Sequence, residues 1–127
     1  MTWLAVILGG ALGSAARHGM NLMAARALGS PSPYATAAVN MIGSFAIGVI
    51  AGALAAQRLA LTPIERTLFI TGILGGFTTF SSLMIDTLTL WQAGAIAKAT
   101  VNLLAQVVLG CMLVYAGYRL GLRSSLD

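Results

Sequence analysis

Charge is what this chain has least of. Only 8% of its 127 residues are charged, while 58% are hydrophobic, and its mean hydropathy is +0.91. A soluble domain carries about 25% charged residues, so this chain cannot cover itself with a polar surface. The class that remains is an integral membrane protein, with room for one domain over residues 1–127. Carboxylates are scarcer still: Glu65, Asp86 and Asp127 are the only three, too few for paired acid/base or metal chemistry. The single histidine, His18, has no ligand partners spaced around it, and the single cysteine, Cys111, excludes an internal disulfide. Cys111 lies in an apolar run and reads as a small buried hydrophobe. These shortages argue against an enzyme.

The net charge of +4 raises the question of nucleic acid. The basic residues are scattered, however, and no basic stripe with interleaved aromatics exists, so that partner is set aside. Arg58, Arg66, Lys98, Arg119 and Arg123 fall where helix ends are expected, which suits snorkelling toward lipid headgroups. At the N-terminus, Trp3–Leu12 is long enough for a signal-peptide core. It lacks a preceding Lys or Arg, and apolar character resumes after Arg17, so it reads as a retained first span.

A hydrocarbon core of about 30 Å needs about 20 mostly apolar residues per helix. Four candidate spans result, over about 3–28, 34–56, 66–91 and 97–121. "GSPSP" (Gly29–Pro33) breaks the first from the second. Thr62-Pro63-x-Glu65 reads as a helix start with proline in its first turn. Short connections imply sequential antiparallel packing. Gly9-x-x-x-Gly13, Gly48-x-x-x-Gly52 and Gly117-x-x-x-Gly121 fit small-residue seams, without naming their partners. Arg58, Arg66, Arg119 and Arg123 would share one side, against Arg26 and Lys98 on the other. So small a bias leaves orientation weakly specified and is compatible with insertion both ways.

Polar side chains within a span face a partner helix or a water-filled path. Asn40, Ser44 and Gly48 share one face of the second span at intervals of four, and Asn102, Gln106 and Gly110 repeat that spacing on the fourth. Interhelical glue and a polar track are both open readings of these faces. The third span carries "GGFTTFSSL" (Gly75–Leu83), with two adjacent glycines and four hydroxyls in nine positions. Such a segment is poor helix material. At membrane depth, backbone that leaves the helix is tolerated only when buried in protein or lining a cavity, where it can aim carbonyls at a cation or amide groups at an anion.

That segment resembles the Gly-Gly-x-Thr-Thr-Phe-Ser-Thr-Phe signature of the Fluc (CrcB) fluoride channel family. "GGALGSAARH" and "YATAAVNMIGSFAIG" resemble the family's first- and second-span motifs, and the likeness covers essentially the whole chain. The resemblance implies an all-α integral membrane fold of four helices, with a non-helical break in the third. It further implies an antiparallel, dual-topology homodimer in a bacterial inner membrane that expels fluoride passively. By position, Asn40 would be the pore asparagine, Phe80 the first of two pore phenylalanines and Ser81 the adjacent hydroxyl. Gly75 and Thr78 match the residues whose backbone carbonyls hold a structural sodium ion. Arg17 matches the family's first-span arginine, and Asn102 and Gln106 align with its fourth-span track.

Side-chain chemistry agrees with a small, strongly hydrated anion as cargo. Asn40, Thr79, Ser81, Asn102 and Gln106 supply neutral N–H and O–H donors, and conduction requires sites weak enough to release the ion. Phe80 can turn its positive ring edge to an anion, or simply pack. Arg17 either draws anions into a vestibule or neutralises helix-end carbonyls and Asp86. The resemblance would put Asp86, six residues after Phe80, at the pore mouth, with its role in conduction left open.

The chain departs from the family pattern in three places: Leu83 stands where the second phenylalanine is expected, His18 replaces an aromatic and Ala35 a glycine. Leu83 leaves open a slower or less selective channel using Phe80 alone, or a non-conducting or half-competent subunit completed by a homologous second chain. A proton-coupled exporter of the small multidrug resistance type is the remaining class. It needs a first-span carboxylate, where this chain has Arg17.

Overall fold

A computed structural model describes residues 1–29 and 33–123. Asp127 and residues 30–32, within the break expected between the first two spans, lie outside those residues. All regular structure among them is helical. Helix α1 (Thr2–Leu28) is 27 residues long and stops at Gly29, whose φ of 74° is a left-handed conformation that glycine adopts without strain. Helix α2 (Pro33–Ala55) follows. Thr62 then opens the next run with a reciprocal cap. Its hydroxyl accepts the Glu65 N–H at 3.3 Å, and a Glu65 carboxylate oxygen accepts the Thr62 N–H at 2.8 Å. Pro63 occupies the first turn, where its missing N–H costs nothing.

From that cap the chain runs through α3 (Pro63–Arg66), a π-helical stretch (Thr67–Leu74) and α4 (Gly75–Phe77). Thr78 (φ −77°, ψ 158°) and Thr79 (φ −153°, ψ 114°) are extended, and α5 (Phe80–Gln92) resumes the helix. Helix α6 (Ile96–Arg123) completes the described chain.

Among the described residues, three helical stretches are long and apolar enough to cross a membrane: Pro33–Ala55, Pro63–Gln92 and Ile96–Arg123. The protein is therefore multi-pass. Helix α1 has the length, but Arg17 and His18 dilute the apolar character of its middle, and it falls outside this group. The buried apolar side chains are few and mostly small: Ala5, Ala35, Val39, Leu83 and Ala99. Large side chains such as Trp3, Phe80 and Trp91 point outward, the inverse of a soluble core and the arrangement that lipid favours.

Glycine seams take the place of a bulky core. Helix α2 packs most extensively on α6, and α1 on the π-helical stretch. Any side chain at Gly48 or Gly52 would strike the carbonyls of Val114 or Tyr118. One at Gly117 or Gly121 would strike those of Phe45 or Val49. The motifs of the second and fourth spans are therefore each other's partners. Gly9 and Gly13 instead meet Leu68, Gly72 and Ile73 on the π-helical stretch, and Gly76 meets Gly10. Gly43 on α2 lies against the Thr78 side chain, so α2 meets both α6 and the Thr78–Thr79 segment.

Candidate functional site

The site begins where the helix gives way. Helical continuation would send the Thr79 N–H to the Gly75 carbonyl. It goes instead to the side-chain oxygen of Asn40 at 2.8 Å. The Asn40 amide nitrogen returns a bond to the Thr79 carbonyl at 3.1 Å. One side chain on α2 thus clamps both faces of an extended residue, replacing helical bonds that backbone at this depth cannot leave unmade. Thr78 secures the other flank, its hydroxyl donating to the Leu74 carbonyl at 3.0 Å.

Thr79 restarts the helix. It is largely buried (8% exposed), and its hydroxyl accepts the Ser82 N–H at 3.1 Å as an N-cap. The single hydroxyl hydrogen of Thr79 goes to Ser82 Oγ at 3.1 Å. The 3.2 Å contact with Ser81 therefore has the Ser81 hydroxyl donating. The Ser82 hydroxyl hydrogen keeps no acceptor among the described residues.

A column of amides runs on from Asn40. Its second N–H donates to Gln106 Oε1 at 2.9 Å, and Gln106 Nε2 donates to Asn102 Oδ1 at 3.0 Å. Asn102 Nδ2 donates to the Thr87 hydroxyl at 3.2 Å, which in turn donates to the Leu83 carbonyl at 2.8 Å. The faces of α2 and α6 that sequence spacing picked out are thus joined directly, on the glue side of the two readings. Both N–H groups of Asn40 are engaged within the chain. Gln106 and Asn102 each retain one N–H with no acceptor among the described residues, and these are donors, which suits an anion.

A cavity of about 690 Å³ brings Asn40, Gly75, Thr78, Thr79, Phe80 and Gln106 to one lining. Phe80 is 69% exposed, whereas Leu83, also on that lining, is 4% exposed and belongs to the core. A second cavity of about 550 Å³ is lined by Asn102, Lys98 and Tyr34, and Gln106 lines both. Ser81 reaches the first group only through Thr79.

Arg17 and Asp86 are placed differently from one of their expected roles. Arg17 donates to the Thr78 carbonyl at 3.4 Å, and no bond links it to Asp86. Its anchoring partner is the carbonyl at the interruption, where α4 has ended. One Asp86 oxygen, Oδ2, is buried with no hydrogen-bond partner among the described residues, and Asp86 lines neither cavity. Cys111 corrects the sequence reading outright: it is exposed and lies on the first cavity. An apolar run marks lipid-facing and buried positions alike, so sequence could not separate them. Thr87 was missed for a similar reason, since a helical threonine usually bonds only its own preceding turn.

The carbonyls of Gly75 and Thr78 are the groups on which sodium can be tested. Thr79 and Ser82, the donors that helical continuation would give them, are bonded to Asn40 and Thr79 instead. Two hard oxygen acceptors without helical donors fit a sodium ion, and Arg17 on the Thr78 oxygen still leaves it a lone pair.

Fold and site together define a multi-pass helical membrane protein with a neutral, donor-biased polar column along its interior. The chain belongs to the CrcB-like family: residues 4–118 match "CrcB-like protein, Camphor Resistance (CrcB)". It is 47% identical over 123 residues to the fluoride-specific ion channel FluC of Paracoccus denitrificans, covering 94% of each chain. The FluC of Thermus thermophilus is 42% identical over 124 residues, again 94% of each chain. That of Roseiflexus sp. is 43% identical over 117 residues, covering 92% of this chain and 94% of its own.

Proposed function

We propose that this chain forms a fluoride-selective channel, which lets fluoride leave a bacterial cell passively across the inner membrane. The observation that carries the reading is the Asn40–Gln106–Asn102 column, neutral throughout and left with spare donors, in a chain so similar to proteins named fluoride-specific channels. Fluoride sheds water only where other donors replace it. Fixed N–H and O–H groups do so without the full positive charge that would trap the ion.

In this mechanism Asn40 has two tasks. Its bonds to Thr79 hold the interruption open, while its N–H to Gln106 is exchangeable for the ion. Gln106 and Asn102 offer their spare N–H groups further along. Ser81 and Thr79 line the turn, and Phe80 presents its ring edge, which carries the positive end of the ring quadrupole. Arg17 fixes the interrupted backbone, and Asp86, which lines neither cavity, takes no part in conduction.

The working unit is an antiparallel homodimer of four-span chains inserted in both orientations, with no second kind of chain. The outward Phe80 supports this, because an aromatic ring on the cavity lining is completed by a facing surface. The Gly75 and Thr78 carbonyls of two such chains would hold a structural sodium ion, whose charge satisfies oxygens that have lost their helical donors. Purified chain reconstituted alone in liposomes should release trapped fluoride to a fluoride electrode. Release no faster than from empty vesicles would overturn the homodimer channel.

A further inference from the structure

The polar column has a sense, and its far end is held by Thr87, a residue that neither the family likeness nor the spacing of carboxamides brings forward. At the near end the sense is set by backbone. The Thr79 N–H can only donate and its carbonyl can only accept, so the Asn40 amide has one orientation. Asn40 therefore donates to Gln106, Gln106 to Asn102 and Asn102 to Thr87. At the far end the Thr87 hydroxyl spends its one hydrogen on the Leu83 carbonyl, a bond of 2.8 Å, and can only accept from Asn102. With that acceptor in place, turning the Asn102 amide over would set its oxygen against the Thr87 oxygen and its nitrogen against the Gln106 nitrogen. Without it, Asn102 is held by Gln106 alone.

We propose that Thr87 is a positioning residue for anion selectivity: it locks the Asn102 amide so that the column shows spare N–H groups, not oxygens, to the passing ion. The inference rests on the channel reading given above. Gln106, which is 6% exposed and lines both cavities, is the point at which a reversal at Asn102 would be felt. An amide turned over presents a lone pair where a donor stood, and fluoride is repelled there.

The test is fluoride efflux, and the fluoride-to-chloride permeability ratio, from liposomes holding wild type, Thr87→Val, Thr87→Ser, Asn102→Leu or the Thr87→Val/Asn102→Leu pair. Valine keeps the shape and removes the hydroxyl, and gel filtration in detergent checks that each variant assembles. Thr87→Val should lower both readings by roughly three- to tenfold, the scale of one net hydrogen bond, and Thr87→Ser should restore them. The pair should fall no further than Asn102→Leu, because Thr87 acts through Asn102. Wild-type behaviour of Thr87→Val, an equal loss in Thr87→Ser, or multiplying losses in the pair would each overturn the proposal while leaving the channel intact. A wild-type chain that passes no fluoride would overturn the channel reading itself.

Discussion

At the scale of single residues, function rests on which groups donate. Asn40→Asp replaces the nitrogen that bonds Thr79 and Gln106 with a second, negative oxygen. Fluoride efflux should fall roughly tenfold or more, as expected when paired polar groups lose a partner and a like charge faces the ion; unchanged efflux would remove Asn40 from the pore. Leu83→Phe tests the departure from the family pattern. Leu83 is buried but borders the 690 Å³ cavity, so a ring has space beside Phe80, and throughput should hold or rise. A large fall would mean that the pore is built around leucine. Much of this was legible in the sequence, because intervals of four place Asn102 and Gln106 on one face whatever the tertiary fold. The engagement of both Asn40 donors was not, since it depends on where an extended Thr79 lies against α2. Nor was the partner of Arg17, because a long side chain within reach of several acceptors is placed by packing.

At the scale of elements, local chemistry could be read directly and long-range pairing could not. Thr62, Pro63 and Glu65 announce a helix start because capping involves only neighbours. The π-helical stretch Thr67–Leu74 has no comparable local signal, and it forms where α1 docks through Gly9 and Gly13. The glycine motifs were equally visible, but their pairing of α2 with α6 required the structure. That pairing makes a contrast between two substitutions. Gly48→Ala drives a methyl into the Val114 carbonyl, whereas at Gly19 a methyl meets nothing. Thermal unfolding in detergent should show Gly48→Ala destabilised by about 1–3 kcal/mol. Gly19→Ala should be neutral or slightly stabilised, since alanine is the better helix former. Equal melting of the two would refute the close α2–α6 seam.

At the scale of the whole molecule, composition alone settled the membrane class, because a chain with 8% charged residues has no other solvent to face. Composition could not reveal how polar residues on α2, α5 and α6 join into one column, because that depends on which helix faces meet. A structural sodium ion at Gly75 and Thr78 predicts that replacing sodium by a bulky organic cation on both sides of the membrane lowers fluoride flux. Equal flux in the two media would dismiss the ion. The proposed channel requires neutral donors along a dry passage to take the place of water around one small halide. It is tested most directly by measuring fluoride and chloride permeation through this chain reconstituted alone, under equal gradients. Fluoride flux should run well above that of empty vesicles, with chloride near their background; chloride passing as readily as fluoride would show that these donors do not select.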